Sequence, residues 1–553
     1  MVHKDSSLVS IRRRLNKIYP KEDAQVAFEG IRNIILKNQK KAKKQKRFSE
    51  KDVVLITYAD SVRETGVKSL KTFKKFSCLL KGRINTVHFL PFFPYSSDDG
   101  FSVIDYGKIK KELGDWNDVK LVGKDFKLMF DFVLNHVSAK SGWFKGYLKG
   151  DSKYENFFIS LDPKTNLSKV FRPRTSPLLS KFGNKYIWTT FSKDQVDPDY
   201  HNPNVLVMML EYLALFVKNG AKLIRLDAIA YLWKQLGTSC LHLWQTHEVV
   251  KLIRDFLDLV GPDVFIVTET NVPHKENISY FGNKGDEAQM VYQFPLPPLV
   301  LHAFLRGDSR YITKWLRKVG SLPPSMTFFN FLASHDGIGV LPAKGLIPEK
   351  ERLWLVDQVK KKKGYVSYKS VGKSKIPYEL NINYFDALSN LDDLERINVK
   401  RFIAAYSIAL SLQGIPGIYI HSLLGSKGWD KGVKKSGIKR RVNREKLNYD
   451  LLVQELKNKD QIRYGVFNGV GDLLEIRKKQ KAFSPESSQK IIFLNKKILC
   501  IERGKGKERI KVVINISDVS VKLNCISSGK DLISNKKVDK NLVIEPYQVM
   551  WIK

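Results

Sequence analysis

Eight short apolar runs, separated by stretches that read as helical returns, constrain this 553-residue chain more than any other feature. They are DVVLITYAD from Asp52, NTVHFLPFFP from Asn85, KLMFDFVLNH from Lys127, KLIRLDA from Lys222, VFIVTET from Val264, MVYQFPLPP from Met290, MTFFNFLASHD from Met326 and GIPGIYI from Gly414. Apolar, β-branched runs of this length belong to parallel strands covered on both faces. Eight of them alternating with helices predict an α/β protein, a closed (β/α)8 barrel of the TIM type. Each run ends in polar or chemically capable residues, and the carboxyl ends of the strands are where such a barrel builds its site.

The spacing of the runs is uneven, and the excess length locates the other parts. Residues 1–50 read as a basic, helical extension without catalytic candidates. The barrel begins over 51–140 and resumes over 201–465. Between these, 141–200 is rich in Tyr, Phe, Pro and Arg and too long for a simple return, so an inserted subdomain is expected after the third strand, over the site. A second insertion is expected at 341–395. After about residue 465 the pattern changes to short alternating runs such as KIIFLNKKILCIE and IKVVINIS, which predict a carboxyl-terminal antiparallel β-sandwich over 466–553.

Composition narrows the function classes. Hydrophobic residues make up 43% and charged residues 27%, which excludes wholesale disorder. Cys78, Cys240, Cys500 and Cys525 lack CxxC or His-rich spacing, so neither a zinc site nor a disulfide framework is indicated, and buried thiols are expected. No metal or cofactor is called for. No apolar run approaches the roughly 20 residues of a membrane span, and the amino-terminal segment lacks the apolar core of a signal peptide, which points to the cytoplasm. The formal charge is +39, with basic residues along the whole chain and no RNA-binding signature or zinc finger. A solvated basic surface is the reading, attractive to small anionic substrates rather than dedicated to nucleic acid. The densest run, Lys37 to Arg47, is expected to be an exposed helix end or linker.

Three acids stand at the ends of barrel strands: Asp227 in IRLDA, Glu269 in VTET and Asp336 in ASHDG. A lone acid there is usually a cap or an ion-pair partner. Three together, with Arg225 two residues before Asp227 and His335 next to Asp336, form a chemical constellation. Side chains alternate along a strand, so Arg225 and Asp227 point the same way and the guanidinium can aim the carboxylate and hold it ionised. Retaining glycosidic chemistry needs two carboxyls roughly 5 Å apart, one attacking the anomeric carbon and one protonating the leaving oxygen. Asp227 and Glu269, on neighbouring strands, suit that pair.

The strings DFVLNHVS, IRLDAIAY, VTETNVP and FLASHDGIG resemble, in order and spacing, the four signature regions of the α-amylase superfamily of glycoside hydrolases, over nearly the whole chain from Asp52. The resemblance implies Asp227 as nucleophile, Glu269 as acid/base and Asp336 as transition-state stabiliser, with Arg225, His136 and His335 as hexose-binding neighbours. Tyr231, which closes IRLDAIAY, joins them as a substrate-binding candidate. A keeping of all three carboxylates disfavours a non-catalytic scaffold that holds RNA.

HFLPFFPYSSDDGFSVIDY, GTSCLH, FPLPPLVLHAF and SHDGIG are similar to the sucrose phosphorylase branch. That likeness implies Asp99 closing a glucose pocket beside Arg444, and Arg174 of FRPRTSP at an acceptor site, with Arg172 as its neighbour. The chain departs from sucrose phosphorylases in its amino-terminal extension, in VTETNVPHKENISYFG, and in PYELN, where Glu379 replaces a more usual Gln near a fructose subsite. These variants resemble the glucosylglycerate phosphorylases of the same branch. The expectation is a retaining glycosyl phosphorylase that moves an α-glucosyl group from a small glucoside, 2-O-α-glucosylglycerate, to phosphate. Its partners would be the α-glucoside, phosphate, and glycerate or fructose. A sucrose or sucrose 6′-phosphate phosphorylase, or a related hydrolase or transglycosylase, is the alternative.

Overall fold

The computed structural model describes residues 2–40, 48–320, 322–371, 374–524 and 528–553. The eight apolar runs form a closed parallel barrel: β1 (Val54–Thr57), β2 (Thr86–Phe89), β3 (Lys127–Val133), β4 (Ala221–Asp227), β5 (Phe265–Thr268), β6 (Met290–Tyr292), β7 (Thr327–Phe331) and β8 (Ile415–Tyr419). Every strand pairs with its sequence neighbour, and β1 closes the ring onto β8. Nearly every residue of these strands is buried, as double-sided cover requires. The interior is packed rather than open. At Gly417 of β8 an added Cβ would lie 2.3 Å from the ring of Phe329, so only glycine leaves room for that side chain.

Register carries the site. Asp131 of β3 lies opposite Arg225 of β4, and Val133 opposite Asp227. Residue 269 follows directly from β5, whose Thr268 lies opposite Leu226. The barrel thereby delivers a carboxyl, a guanidinium and two further carboxyls to one end from three adjacent strands.

Two insertions rise from that end. In the first, Val137–Ser138 pairs antiparallel with Gln195–Val196, and Leu179–Phe182 forms a hairpin with Lys185–Trp188. A buried ammonium fastens this segment to the barrel: Lys234 Nζ lies 2.7 Å from Asp197 Oδ2 and donates to Asn135 Oδ1 at 2.6 Å and to the Tyr231 carbonyl at 2.5 Å. In the second insertion, Ser374–Asn381 is the central strand of a three-stranded sheet with Ile338–Gly339 and Tyr365–Val371.

The amino-terminal helices α1 (Val2–Ile18) and α2 (Lys21–Asn38) pack on two barrel helices, α3 (Pro203–Lys218) and α4 (Trp244–Val260). Ile11, Leu15, Ala27, Ile31 and Ile35 of the extension belong to the main core. Arg14 is buried between Glu248 and Asp255 of α4, at 3.0 and 2.7 Å. Helix α2 ends at Asn38, and most of the basic run after it, residues 41–47, lies outside the described residues.

At the other end of the chain, residue 466 falls inside a helix, α6 (Ile462–Arg477), which packs on the barrel helix α5 (Glu395–Ser411). An antiparallel sheet follows: β9 (Gln489–Ile492), β10 (Ile498–Arg503), β11 (Ile510–Asn515) and β12 (Val549–Ile552). Alternation splits its side chains. Leu499, Ile501, Val512, Ile514 and Trp551 join the main core, whereas Ile498, Cys500, Val513, Met550 and Ile552 pack with Leu523, Val538 and Ile544 of two small strand pairs beyond. The sheet is therefore sandwiched between the barrel and this outer layer.

Of the cysteines, Cys240 and Cys500 are buried, but Cys78 is exposed, because it sits in a surface 3-10 turn whose buried positions are Ser77 and Leu80. Cys525 lies outside the described residues. Among the described residues no helix is long and apolar enough to cross a membrane.

Candidate active site

A partly open, concave cavity sits at the carboxyl end of the barrel, where such folds place ligand sites. Asp227, Glu269 and Asp336 all line it, as do His136, Tyr231 and His335. Beneath them Arg225 is almost fully buried. Its Nη1 donates to Asp227 Oδ1 at 2.7 Å and to Asp131, and its Nη2 lies 3.8 Å from Glu269 Oε2. Asp131 is held in turn by His88 Nε2 at 2.8 Å.

Ala228, directly after Asp227, takes a left-handed conformation at φ 48, a strained choice for a residue with a Cβ. In this turn its N–H donates to Glu269 Oε2 at 3.1 Å. Neighbouring carboxyls are thus tied together through one guanidinium and one peptide group.

Burial pushes the Asp227 carboxyl up; Arg225 pulls it down and Glu269 raises it further. Glu269 is also raised by burial, against Arg225. Burial therefore dominates where the sequence pattern suggested the guanidinium alone. Two carboxyls confined beside one guanidinium titrate as a pair. Asp227 has the short bond to Arg225, and Glu269 accepts from the Ala228 N–H through Oε2. Asp336 is held low despite burial, by Arg440, with Nη1 2.6 Å from Oδ1, and by His335 and Arg444. Burial pushes His136 down to about 4 and His335 to about 3, so both imidazoles are neutral at pH 7. His335 stacks on Phe101 with ring centroids 4.8 Å apart.

The remaining expected residues divide. Asp98, not Asp99, lines the cavity. Both adopt left-handed backbone in the SSDDG turn, at φ 50 and 49, and the turn carries Asp99 away to Arg441 and Arg444, at 2.8 and 2.9 Å. Arg444 does not line the cavity but supports it from behind: Nη1 is 3.6 Å from Asp98 Oδ1 and Nε donates to the His335 carbonyl at 2.9 Å. Arg174 reaches in from the first insertion between the rings of Phe191 and Tyr378, 5.8 and 5.9 Å from their centroids. Arg172 does not; its guanidinium caps the carbonyl of Ser176 in its own loop. Glu379 is 1% exposed and stands behind Arg440, accepting from Nη2 at 3.0 Å and from the Gly337 N–H at 2.5 Å. It acts on the cavity through Arg440 and does not line it.

Sequence reasoning passed over Asp131, Asp98, Arg440 and Tyr378. Asp131 could have been found as the single acid inside KLMFDFV. Arg440 could not, since nothing in KRRVNR distinguishes it from Arg441.

Fold and site together define an enzyme of the α-amylase type. Residues 74–336 match the family "Alpha amylase, catalytic domain". A glucosylglycerate phosphorylase from Spirochaeta thermophila is 49% identical over 475 residues, covering 85% of this chain and 81% of that protein. One from Escherichia coli is 43% identical over 521 residues, covering 92% and 93%. Among solved structures, sucrose 6F-phosphate phosphorylase from Thermoanaerobacter thermosaccharolyticum superposes with a TM-score of 0.73 at 26% identity, over 84% of this chain and 94% of that one. The chain belongs to the glucosylglycerate phosphorylase family within the α-amylase superfamily.

Proposed function

We propose that this enzyme cleaves 2-O-α-glucosylglycerate with phosphate by double displacement. Asp227 Oδ attacks the anomeric carbon while Glu269 gives its proton to the departing glycerate oxygen, leaving a glucosyl ester on Asp227. Phosphate then enters, Glu269 takes a proton from it, and the phosphate oxygen displaces Asp227, giving α-glucose 1-phosphate with retained configuration. Asp336 accepts hydroxyl hydrogens of the glucosyl ring; His136, His335 and Tyr231 border it as neutral hydrogen-bonding groups; Asp98 takes the place first expected for Asp99.

The observation that carries the reading is Arg174. Arg225 is ion-paired with three carboxylates and Arg440 with two, whereas among the described residues no carboxylate pairs with Arg174. A cavity floored by carboxyls and supplied with one uncommitted guanidinium suits an anionic acceptor. Phosphate and the glycerate carboxylate would take this cation in turn, and the names of the relatives agree with glycerate. Fructose offers it only neutral hydroxyls.

The test is to supply the pure protein with phosphate and a panel of α-glucosides and to assay glucose 1-phosphate. In reverse, with glucose 1-phosphate as donor, D-glycerate should be glucosylated much better than fructose. Preference for fructose would replace this reading with sucrose phosphorolysis.

A further inference from the structure

Behind the wall formed by Asp99 and Arg444 lies a second cavity, of about 750 Å³. Arg63, Lys110, Arg441, Arg444 and Lys446 line it, against the carboxylates of Asp60 and Asp99. Each carboxylate serves two cations: Asp60 takes Lys446 at 2.5 Å and Arg63, and Asp99 takes Arg441 at 2.8 Å and Arg444 at 2.9 Å. Lys110 has no carboxylate partner among the described residues; its ammonium stands 4.3 Å from the ring centroid of Tyr95. Arg444 is also offset by Asp98 and Asp336, at 3.6 and 3.7 Å, so the positive charge of this space comes from Arg63, Lys110, Arg441 and Lys446 against Asp60 and Asp99.

A second feature points the same way. Tyr58 lines the cavity and is 4% exposed, yet its hydroxyl has no hydrogen-bond partner. A buried hydroxyl left unpaired is costly, and an oxyanion would supply the acceptor. Burial also pushes the Tyr58 phenol well up, so it stays a donor. Tyr95 and Trp429 add aromatic surface of the kind sugar rings pack on.

We propose that this cavity is a second oxyanion site, separate from the active site and built for a phosphoryl group. The group arrives as inorganic phosphate or on a sugar phosphate. Lys110 and Arg63 hold it at the mouth, and Arg441 is shared between the anion and Asp99.

Equilibrium dialysis with radiolabelled inorganic phosphate reads the number of sites directly. The wild-type chain should bind two phosphates, and Lys110→Ala combined with Arg63→Ala should bind one, its affinity for the second falling at least tenfold. Neither residue borders the catalytic cavity, so turnover of an activated α-glucoside should be unchanged, which also checks that the variant is folded. Arg174→Ala should lose the other phosphate. If it does not, while the double variant still loses one, the acceptor reading falls and the second site stands. Unlabelled glucose 6-phosphate added to Arg174→Ala separates the sources: displacement of the remaining label assigns a sugar phosphate, and retention assigns inorganic phosphate. A double variant that keeps every phosphate the wild-type chain binds, with unchanged affinity, overturns the proposal.

Discussion

On the floor of the catalytic cavity, Asp131, Arg225 and Asp227 stand on paired barrel strands, with Glu269 one residue past the next. On its outer wall, Arg174 and Arg440 hang from a loop and a short 3-10 turn. The floor is positioned by backbone register, which fixes side-chain direction at every second residue. The wall is positioned by the long side chains themselves and by whatever they pair with. On the proposed function, the strands would hold the parts that make and break bonds, and the loops of the wall the parts that choose the acceptor, so the two could vary separately.

Substitutions test that division, and the floor should show the largest effects. Asp227→Asn should lower kcat by more than about a thousandfold for any substrate, because a neutral amide neither attacks nor pairs with Arg225. Activity within about tenfold of wild type, by glucose 1-phosphate release, would contradict its assignment. Glu269→Gln should be nearly as damaging for natural glucosides yet mild for a substrate with a good leaving group. Since burial raises the Glu269 carboxyl, the first step should fail as pH rises through that raised value and the acid loses its proton. In Glu269→Gln this alkaline limb should vanish from the pH profile.

Lys234→Met probes the joint between floor and wall. It leaves Asp197 buried without its cation, a loss of about 3–5 kcal/mol for a broken buried pair. Thermal unfolding should shift down by several degrees, and an unchanged Tm would mean that the donors left to Asp197, including Asn135 Nδ2 at 3.1 Å and the Thr190 N–H at 3.0 Å, suffice for it. Arg174→Ala removes one charge-assisted partner, about 1.5–3 kcal/mol, so KM for phosphate should rise roughly tenfold to a hundredfold. Glucosyl-enzyme formation from an activated glucoside should stay intact, separating acceptor binding from bond cleavage. Arg172→Ala should do least. Its guanidinium meets only a loop carbonyl, worth about 1 kcal/mol, and KM values should move less than about threefold.

The same contrast explains what could be read from the chain. All eight barrel strands are visible as apolar runs, because burial on both faces leaves a continuous pattern, and the strand-end acids follow from them. The wall was less legible. SSDDG does not reveal which Asp lines the cavity, since two successive left-handed residues turn them in different directions. RPR does not say that one arginine caps its own loop, and PYELN does not reveal that Glu379 works through Arg440. Periodicity breaks down at the boundary near 465 too, where a helix docked on the barrel precedes the first strand of the sheet.

The amino-terminal hairpin carries a consequence for how the chain is made. Helices α1 and α2 emerge before the barrel, but their apolar faces rest on α3 and α4, which are completed only at Lys218 and Val260. At roughly 5–20 residues per second, the ribosome needs on the order of tens of seconds to supply that seat. Throughout this interval Ile11, Leu15, Ile31 and Ile35 have only the partner helix of the hairpin, and not the barrel, to cover them. The hairpin can therefore dock on its native seat only after half the barrel has been synthesised.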